Sequence, residues 1–248
     1  QGYQVQVMET YCTKEDEQER EKTLNLITHV EVQRACDSDA HALLPALESA
    51  EERDLAPAQV LADSLYGSDE NSEKAEAMGV EVVSPTMGAE KEDRLSLSAF
   101  IFSEKGEITA CPQGHAPVKV KHKKHRYTLA FDSSHCLHCP FGERCPVKRG
   151  KKHHYLRYED KTMRVATRRA KEHGPEFKDK YRWRAGIEAT MSEYDRVTGV
   201  KRLRVRGFPA VRYCATLKAI GVNLFRATAV RNALKEQGGA PEPGDSLL

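Results

Sequence analysis

Apolar and polar residues alternate over residues 2–11, with Tyr3, Val5 and Val7 on one side. A period of two is that of a strand with one buried face. The alternation returns from Leu24 to Val32, and the charged run 13–23 between them reads as a hairpin connection, so two antiparallel strands are expected. Leu43, Leu44, Leu47 and Ala50 then recur at helical spacing behind Asp37-Ser38-Asp39, any of which is a natural N-cap. Asp39 could serve as a catalytic acid, but capping is the better reading. Gln59–Ala62 is a short apolar strand that ends on Asp63, an acidic helix follows over 69–78, and Val80–Val83 is a further strand. Strand, helix and strand at this spacing form a right-handed crossover unit.

Residues 88–98 read as a loop, and the composition then changes. Strands are expected around Ile108 and, in a looser alternation, from Val118 to Phe131. Residues 159–195 read as a long or kinked helical region, broken near Gly174-Pro175, and a basic turn covers 196–207. Pro209 opens a last helix whose stripe of Val211, Cys214, Leu217, Ile220, Leu224 and Phe225 is expected to pack in the core. The Gly- and Pro-rich tail from Gly238 is disordered by composition. The chain thus divides into segments 1–98, 99–160, 161–232 and a tail, 233–248. No repeat and no glycine-rich nucleotide loop stands out.

Charge sharpens this division. The net charge is only +2, but residues 1–100 carry 8 Lys and Arg against 22 Asp and Glu, whereas residues 101–248 carry 31 against 15. A basic second half suits a polyanion and argues for salt-dependent binding. The acidic first half argues against a protein that is basic throughout. No run of about 18 apolar residues exists to cross a membrane, and no secretory segment precedes the first strand. The chain opens on Gln1 inside that strand, as a fragment, a processed product or a broken reading frame would. Seven cysteines, an odd number, point to free thiols or a metal rather than to a disulfide framework.

Three places carry candidate chemistry. Asp63 closes a short strand, and the carboxyl ends of strands are where α/β sheets put ligands; capping of the next helix is the plainer alternative. In the run Tyr181-Arg182-Trp183-Arg184-Ala185-Gly186-Ile187-Glu188, helical spacing sets Tyr181, Arg184 and Glu188 on one face. Arg196, Lys201, Arg202, Arg204 and Arg206 follow. A carboxylate for a metal beside donors for phosphate oxygens is what phosphodiester chemistry needs, although a surface ion pair would show the same spacing. In the third place, Cys111, Cys136, Cys139 and Cys145 supply a thiolate set for structural Zn²⁺, with His115, His135 and His138 as alternative ligands; reduced thiols in a small hairpin domain are the other reading. Two basic strips, 119–127 and 148–155, interleave His and Tyr with Lys and Arg and could track a nucleic-acid backbone.

The run from Tyr181 to Glu188 resembles the Tyr-x-x-Arg-x-x-x-Glu signature of DDE-type bacterial insertion-sequence transposases. That signature ends, after six intervening residues, on a Lys or His, where this chain has Asp195. Val60-Leu61-Ala62-Asp63-Ser64-Leu65-Tyr66-Gly67 resembles the family's second-acid motif, with Leu65 where Gly is usual. Residues Gly2–Val7 and Leu26–Glu31 resemble its second and third strands. The resemblance implies an α/β fold: an RNase H-like mixed sheet flanked by helices and interrupted by the β-rich, Cys-containing segment 99–160.

It also implies metal-dependent DNA cleavage and strand transfer at the ends of a mobile element. Asp63 and Glu188 would be catalytic ligands of a two-metal site holding Mg²⁺ or Mn²⁺. Tyr181, Arg184, Arg196, Lys201 and Arg202 would bind DNA. The partners would be terminal inverted repeats and target DNA, engaged by a homodimer in the bacterial cytoplasm at the nucleoid, with no membrane. The family's first acid lies on a strand upstream of the Gly-Tyr-x-Val strand, where this chain begins, so the chain by itself is expected to be inactive or nearly so. A non-catalytic DNA-binding protein derived from a transposase is the competing expectation, and a zinc-dependent interaction module a third.

Overall fold

The computed structural model describes residues 2–91 and 93–236. Two compact units divide the described residues: those within 1–62, 74–82 and 180–248 form the first, and those within 63–73 and 83–179 the second.

In the first unit, β1 (Tyr3–Glu9) and β2 (Ile27–Arg34) form the expected antiparallel pair, in register from Tyr3 opposite Arg34 to Met8 opposite His29. The connection between them holds a short helix, α1 (Glu17–Glu21), whose N-cap Asp16 accepts the Glu19 N–H at 3.0 Å. The helix α2 (Leu43–Glu51) buries Leu43, Ala46, Leu47 and Ala50. Its start differs from expectation, because none of Asp37, Ser38 and Asp39 caps it through a side chain. Asp37 accepts the Arg34 N–H at 3.1 Å, and Asp39 accepts the Gln6 amide at 2.8 Å, so both carboxylates close the sheet edge instead. The strand β3 (Gln59–Leu61) pairs with β4 (Glu81–Val83), and α3 (Asp69–Ala77) lies between them in sequence, with residues in both units.

The later part of this unit holds α7 (Gly186–Thr198), ended by Gly199 in the left-handed region, and α8 (Phe208–Glu236). Left-handed φ at a helix C-terminus suits Gly, which has no Cβ to clash. The core gathers Ile27, Val32, Tyr194, Val200, Val211, Ala215, Ala219 and Val222. Here the stripe expected on α8 is corrected. Val211 is buried, but Leu217 and Ile220 are about half exposed, and Leu224 and Phe225 are 65% and 64% exposed. The helix turns its small face inward instead, because Ala215 and Ala219 let it approach β2 and α7 closely enough to fill the space. Asn223 completes the packing: its amide donates to Ile27 O at 2.9 Å and accepts the Ile27 N–H at 2.9 Å, as a neighbouring strand would.

The second unit is built on a four-stranded antiparallel sheet of β7 (Lys119–Lys123), β8 (Arg126–Phe131), β9 (Lys148–Arg149) and β10 (His154–Glu159), in the order β7-β8-β10-β9. A small pair, β5 (Ile101–Phe102) with β6 (Ile108–Ala110), adds to it. Phe100, Ile108, Tyr127, Leu129, Phe131, Leu156 and Tyr158 form its core. The strand alternation is visible on β10, where His154, Leu156 and Tyr158 point inward. The helix α4 (Ser133–Leu137) follows β8, capped by Asp132, and α5 (Asp160–Glu172) follows β10. The helical region breaks at His173-Gly174, as expected, before α6 (Pro175–Tyr181); a 3-10 turn over Arg182–Ala185 is a second break.

The chain is thus mixed α/β, but its strands among the described residues make four separate sheets rather than a single mixed one. The physical reason is local. β3 and β4 have three residues each, and no described strand pairs with the second edge of β1 or of β3. α8 continues through Glu236. The tail from Gly238, expected to be disordered, lies outside the described residues. Among them, no helix is long and apolar enough to cross a membrane.

Candidate functional site

Asp63 lies two residues past the end of β3 and is half-buried, with its carboxylate accepting the Ser64 N–H at 2.8 Å. The loop it opens is held by arginines of α5 that no sequence motif singles out. Arg168 donates to Gly67 O at 2.9 Å, to Ser72 Oγ at 2.8 Å and to Ser84 Oγ at 3.1 Å. Gly67 is required there: a Cβ at this position would stand 1.5 Å from Ser84 Oγ. One turn earlier, Arg164 binds Asp69 through two nitrogens, at 3.1 and 2.6 Å, and also reaches Glu73 at 2.8 Å. A bidentate pair fixes orientation as well as distance. One turn of basic helix is therefore spent on positioning the Asp63 loop and the start of α3. The signal that could have found it is the complementary charge of the acidic helix 69–78.

Glu188 belongs to the first turn of α7 and is largely exposed. Arg184, in the 3-10 turn before it, donates to Glu188 at 2.9 Å, so these two residues share a face as the spacing requires. Tyr181 ends α6, which puts the 3-10 turn inside the Tyr181–Glu188 run. Arg196 is exposed in the last turn of α7, and Lys201 and Arg202 are exposed in the turn that follows, with Lys201 Nζ 3.5 Å from Asp195. Asp195, standing where the signature has a cation, also accepts the Lys201 N–H at 3.1 Å and so shapes the basic turn.

Asp63 falls in the second unit and Glu188 in the first. Among the described residues, no group of three or more His, Cys, Asp and Glu side chains could hold a metal ion as placed. A two-ion phosphoryl-transfer centre needs carboxylates converging on the cations. Glu188 is instead neutralised by Arg184.

The strongest electrostatic assembly in the first unit has no counterpart in the sequence motifs. Arg226 of α8, largely buried, donates to Glu9 at 3.0 Å, to Glu193 at 2.7 Å and to the hydroxyl of Thr190, which itself donates to Glu9 at 2.6 Å. Glu9, Thr190 and Arg226 line a cleft of about 620 Å³ together with Tyr11, Arg20, Arg182 and Trp183. The Arg182 guanidinium lies 4.6 Å from the centre of the Trp183 ring and pairs with Glu15. Both Arg182 and Arg226 are thereby compensated within the unit.

In the second unit, the two edges of the four-stranded sheet carry the basic strips. Lys119, Lys121 and Lys123 alternate along the fully exposed β7, and Lys148 and Arg149 make up β9. None of these five pairs with a carboxylate among the described residues. Lysines on a sheet edge discourage edge-to-edge pairing, and an unpaired cationic row also suits a phosphate backbone. On the other side of β7, His122 stacks on Tyr127 with ring centres 4.0 Å apart, and Asp160 hydrogen-bonds His125 at 3.1 Å and stands 3.2 Å from His122. Those two histidines are thus engaged in fastening the hairpin.

Cys111, Cys136, Cys139 and Cys145 line one cavity of about 190 Å³, floored by Leu95, Phe131 and Val147. All four are free thiols. Burial, and then the proximity of Cys145, Cys111 and Cys139, pushes the pKa of the Cys136 thiol up to about 11; burial likewise raises the pKa of Cys145. His115 and His135 stack on each other at the cavity wall, ring centres 4.0 Å apart.

Residues 110–228 match the model of the family described as Transposase DDE domain. The match supports a DDE transposase. It spans the four cysteines, both basic strips, Tyr181, Arg184 and Glu188, and it begins after Asp63. No curated protein and no solved structure matches the chain.

Proposed function

We propose that this chain is the DDE part of a DNA transposase and that, unaided, it binds DNA without cutting it. The observation that carries this reading is the match over residues 110–228 to a transposase DDE domain. The unpaired cations of β7 and β9 and the exposed basic turn Arg196–Arg206 support contact with DNA phosphates. Tyr181 and Arg184 are assigned to phosphate near the scissile bond, and Asp63 and Glu188 to two of the three acids.

An RNase H-like sheet is compatible with the two short sheets of the first unit. Among the described strands none pairs with the second edge of β1 or of β3, and a 3.1 Å hydrogen bond from Tyr11 to Gln59 ties the residues after β1 to the start of β3. One further strand laid between those edges would join both pairs into a single mixed sheet and is where a third carboxylate belongs. Cleavage with Mg²⁺ or Mn²⁺, a homodimer, element ends and target DNA as substrates, and action at the bacterial nucleoid all belong to the assembled enzyme on this reading. No metal-dependent step is assigned to Asp63 and Glu188 alone.

The test is binding of a labelled DNA duplex across a salt series. Affinity should fall steeply with salt, and replacing Lys119, Lys121 and Lys123 by Ala should reduce the log–log slope by roughly 2 to 3, about 0.9 for each phosphate no longer neutralised. Binding that is indifferent to salt would remove the reading. A purely DNA-binding protein is favoured by one observation, the neutralisation of Glu188 by Arg184. In a cell-based transposition assay of the assembled enzyme, Asp63→Ala and Glu188→Ala separate the two readings: a transposase loses strand transfer and keeps binding, whereas a binding protein keeps its function.

A further inference from the structure

We propose that Cys111, Cys136, Cys139 and Cys145 form a tetrahedral thiolate site for one structural Zn²⁺ ion. Two tight turns bring these residues to the same cavity. In the first, Gly114, at φ +81°, donates its N–H to Cys111 O at 2.8 Å, and the Cys111 N–H donates to His115 O at 2.9 Å. This closes a knuckle at the end of β6 with Cys111 at its base. In the second, Cys136 and Cys139 flank the end of α4, and the Cys145 N–H donates to Phe141 O at 2.8 Å, which folds the interval between Cys139 and Cys145 back on itself.

The surroundings select the ligand. Cys111, Cys136 and Cys145 pack against the aromatic core, and all four cysteines line one small cavity together with Leu95, Phe131 and Val147. Soft thiolates in a closed set of four are a zinc donor set. The thiols as placed are not gathered to ligating distance. Closing to the Zn–S distance of about 2.3 Å would draw together the knuckle after β6 and the loop after α4. Binding one Zn²⁺ releases four protons, one from each thiol, and leaves a centre of net charge −2. His115 and His135 stack on each other at the wall, and the donor set is complete without them. The ion would tie the turns that flank the four-stranded sheet, and so stiffen the segment that displays the basic edges.

The test uses the full chain, purified reduced and dialysed, with zinc quantified by mass spectrometry. One zinc per chain is expected. Replacement by Co²⁺ should give the intense visible bands of tetrahedral cobalt with thiolate charge transfer. Alkylation mapped by peptide should find the four cysteines protected with zinc and released by a chelator, while Cys36 reacts in both states. Cys136→Ser with Cys139→Ser should lower zinc affinity at least a hundredfold, and Cys36→Ser and His115→Ala should leave it unchanged. Absence of bound zinc together with octahedral, weakly absorbing Co²⁺ would overturn the proposal. Unchanged zinc content in a folded Cys136→Ser, Cys139→Ser variant would overturn it too. The alkylation map on the unmutated chain decides the matter if that variant does not fold. None of these readouts depends on DNA or on strand transfer, so a failed transposase reading and a failed zinc site remain distinguishable.

Discussion

The two cores of this molecule are made from different materials. In the first unit, small aliphatic side chains of α8 lie against β2, and the margin is closed by charges and an amide: Arg226 with Glu9 and Glu193, and Asn223 on the backbone of Ile27. In the second, aromatic rings and leucines of an antiparallel sheet pack with cysteines, and Arg164 and Arg168 fasten the flanking loop. Small residues bury little area each, so close approach and satisfied polar groups must make up the difference. Large rings bury much more per residue and tolerate a margin of loops and thiols. Polar specificity therefore sits inside the first unit's core and around the edge of the second's.

The largest blow to that contrast is Arg226→Leu. It strands Glu9 and Glu193 without their cation, and the first unit should lose about 3–5 kcal/mol, the cost of breaking a buried pair from one side. Chemical denaturation measures it; a loss below about 1 kcal/mol would mean that the charges are solvated and the first core stands on its apolar packing alone. Next is Leu129→Ala. Leu129 is fully buried among the rings of the second unit, and about 3 kcal/mol should be lost, with the value set by how far the rings collapse into the space. Asn223→Ala should cost about 1–2 kcal/mol, since it leaves the N–H and C=O of Ile27 without their partner. Faster amide exchange at Ile27 is the local readout; unchanged exchange would sink the role given to Asn223. The smallest effect belongs to Leu217→Ser with Leu224→Ser, on the outer face of α8. Stability should move by no more than about 0.5 kcal/mol. A loss of several kcal/mol would show that this face is covered in solution.

Legibility in the sequence follows the same contrast. The strands β1 and β2 are readable because alternation over seven or eight residues is a strong local signal; β8 carries it more loosely, and β10, which overlaps a basic strip, is not expected as a strand. The inward face of α8 is not readable in this way. Hydrophobicity marks Leu217, Ile220, Leu224 and Phe225 as the stripe, while the packing chooses Val211, Ala215, Ala219 and Val222. A helix that must lie close to a strand selects for small side chains, and a hydropathy pattern weights them least. Arg164, Arg168 and Arg226 are hidden for a related reason. A basic residue looks the same in sequence whether it faces solvent or a carboxylate far along the chain. Of the candidate site, the Arg184–Glu188 adjacency and the shared location of the four cysteines are legible, the one from helical spacing and the other from clustering along the chain. The roles of Asp37 and Asp39 are not, because hydrogen bonds to Arg34 and Gln6 compete with helix capping for those carboxylates.

Local pattern was enough to set the strands β1 and β2, the helices α2 and α3, the contrast in charge between the two halves, and the short-range groupings of Arg184 with Glu188 and of the cysteines. Each depends on residues near one another along the chain, where backbone periodicity and short turns set who meets whom. Packing between distant segments settled the rest: which face of α8 is buried, that Arg226 neutralises two acids, that α5 holds the Asp63 loop, and that the described strands form separate sheets. Those outcomes turn on groups far apart in sequence competing for the same space and the same charge, and no local pattern records which of them wins.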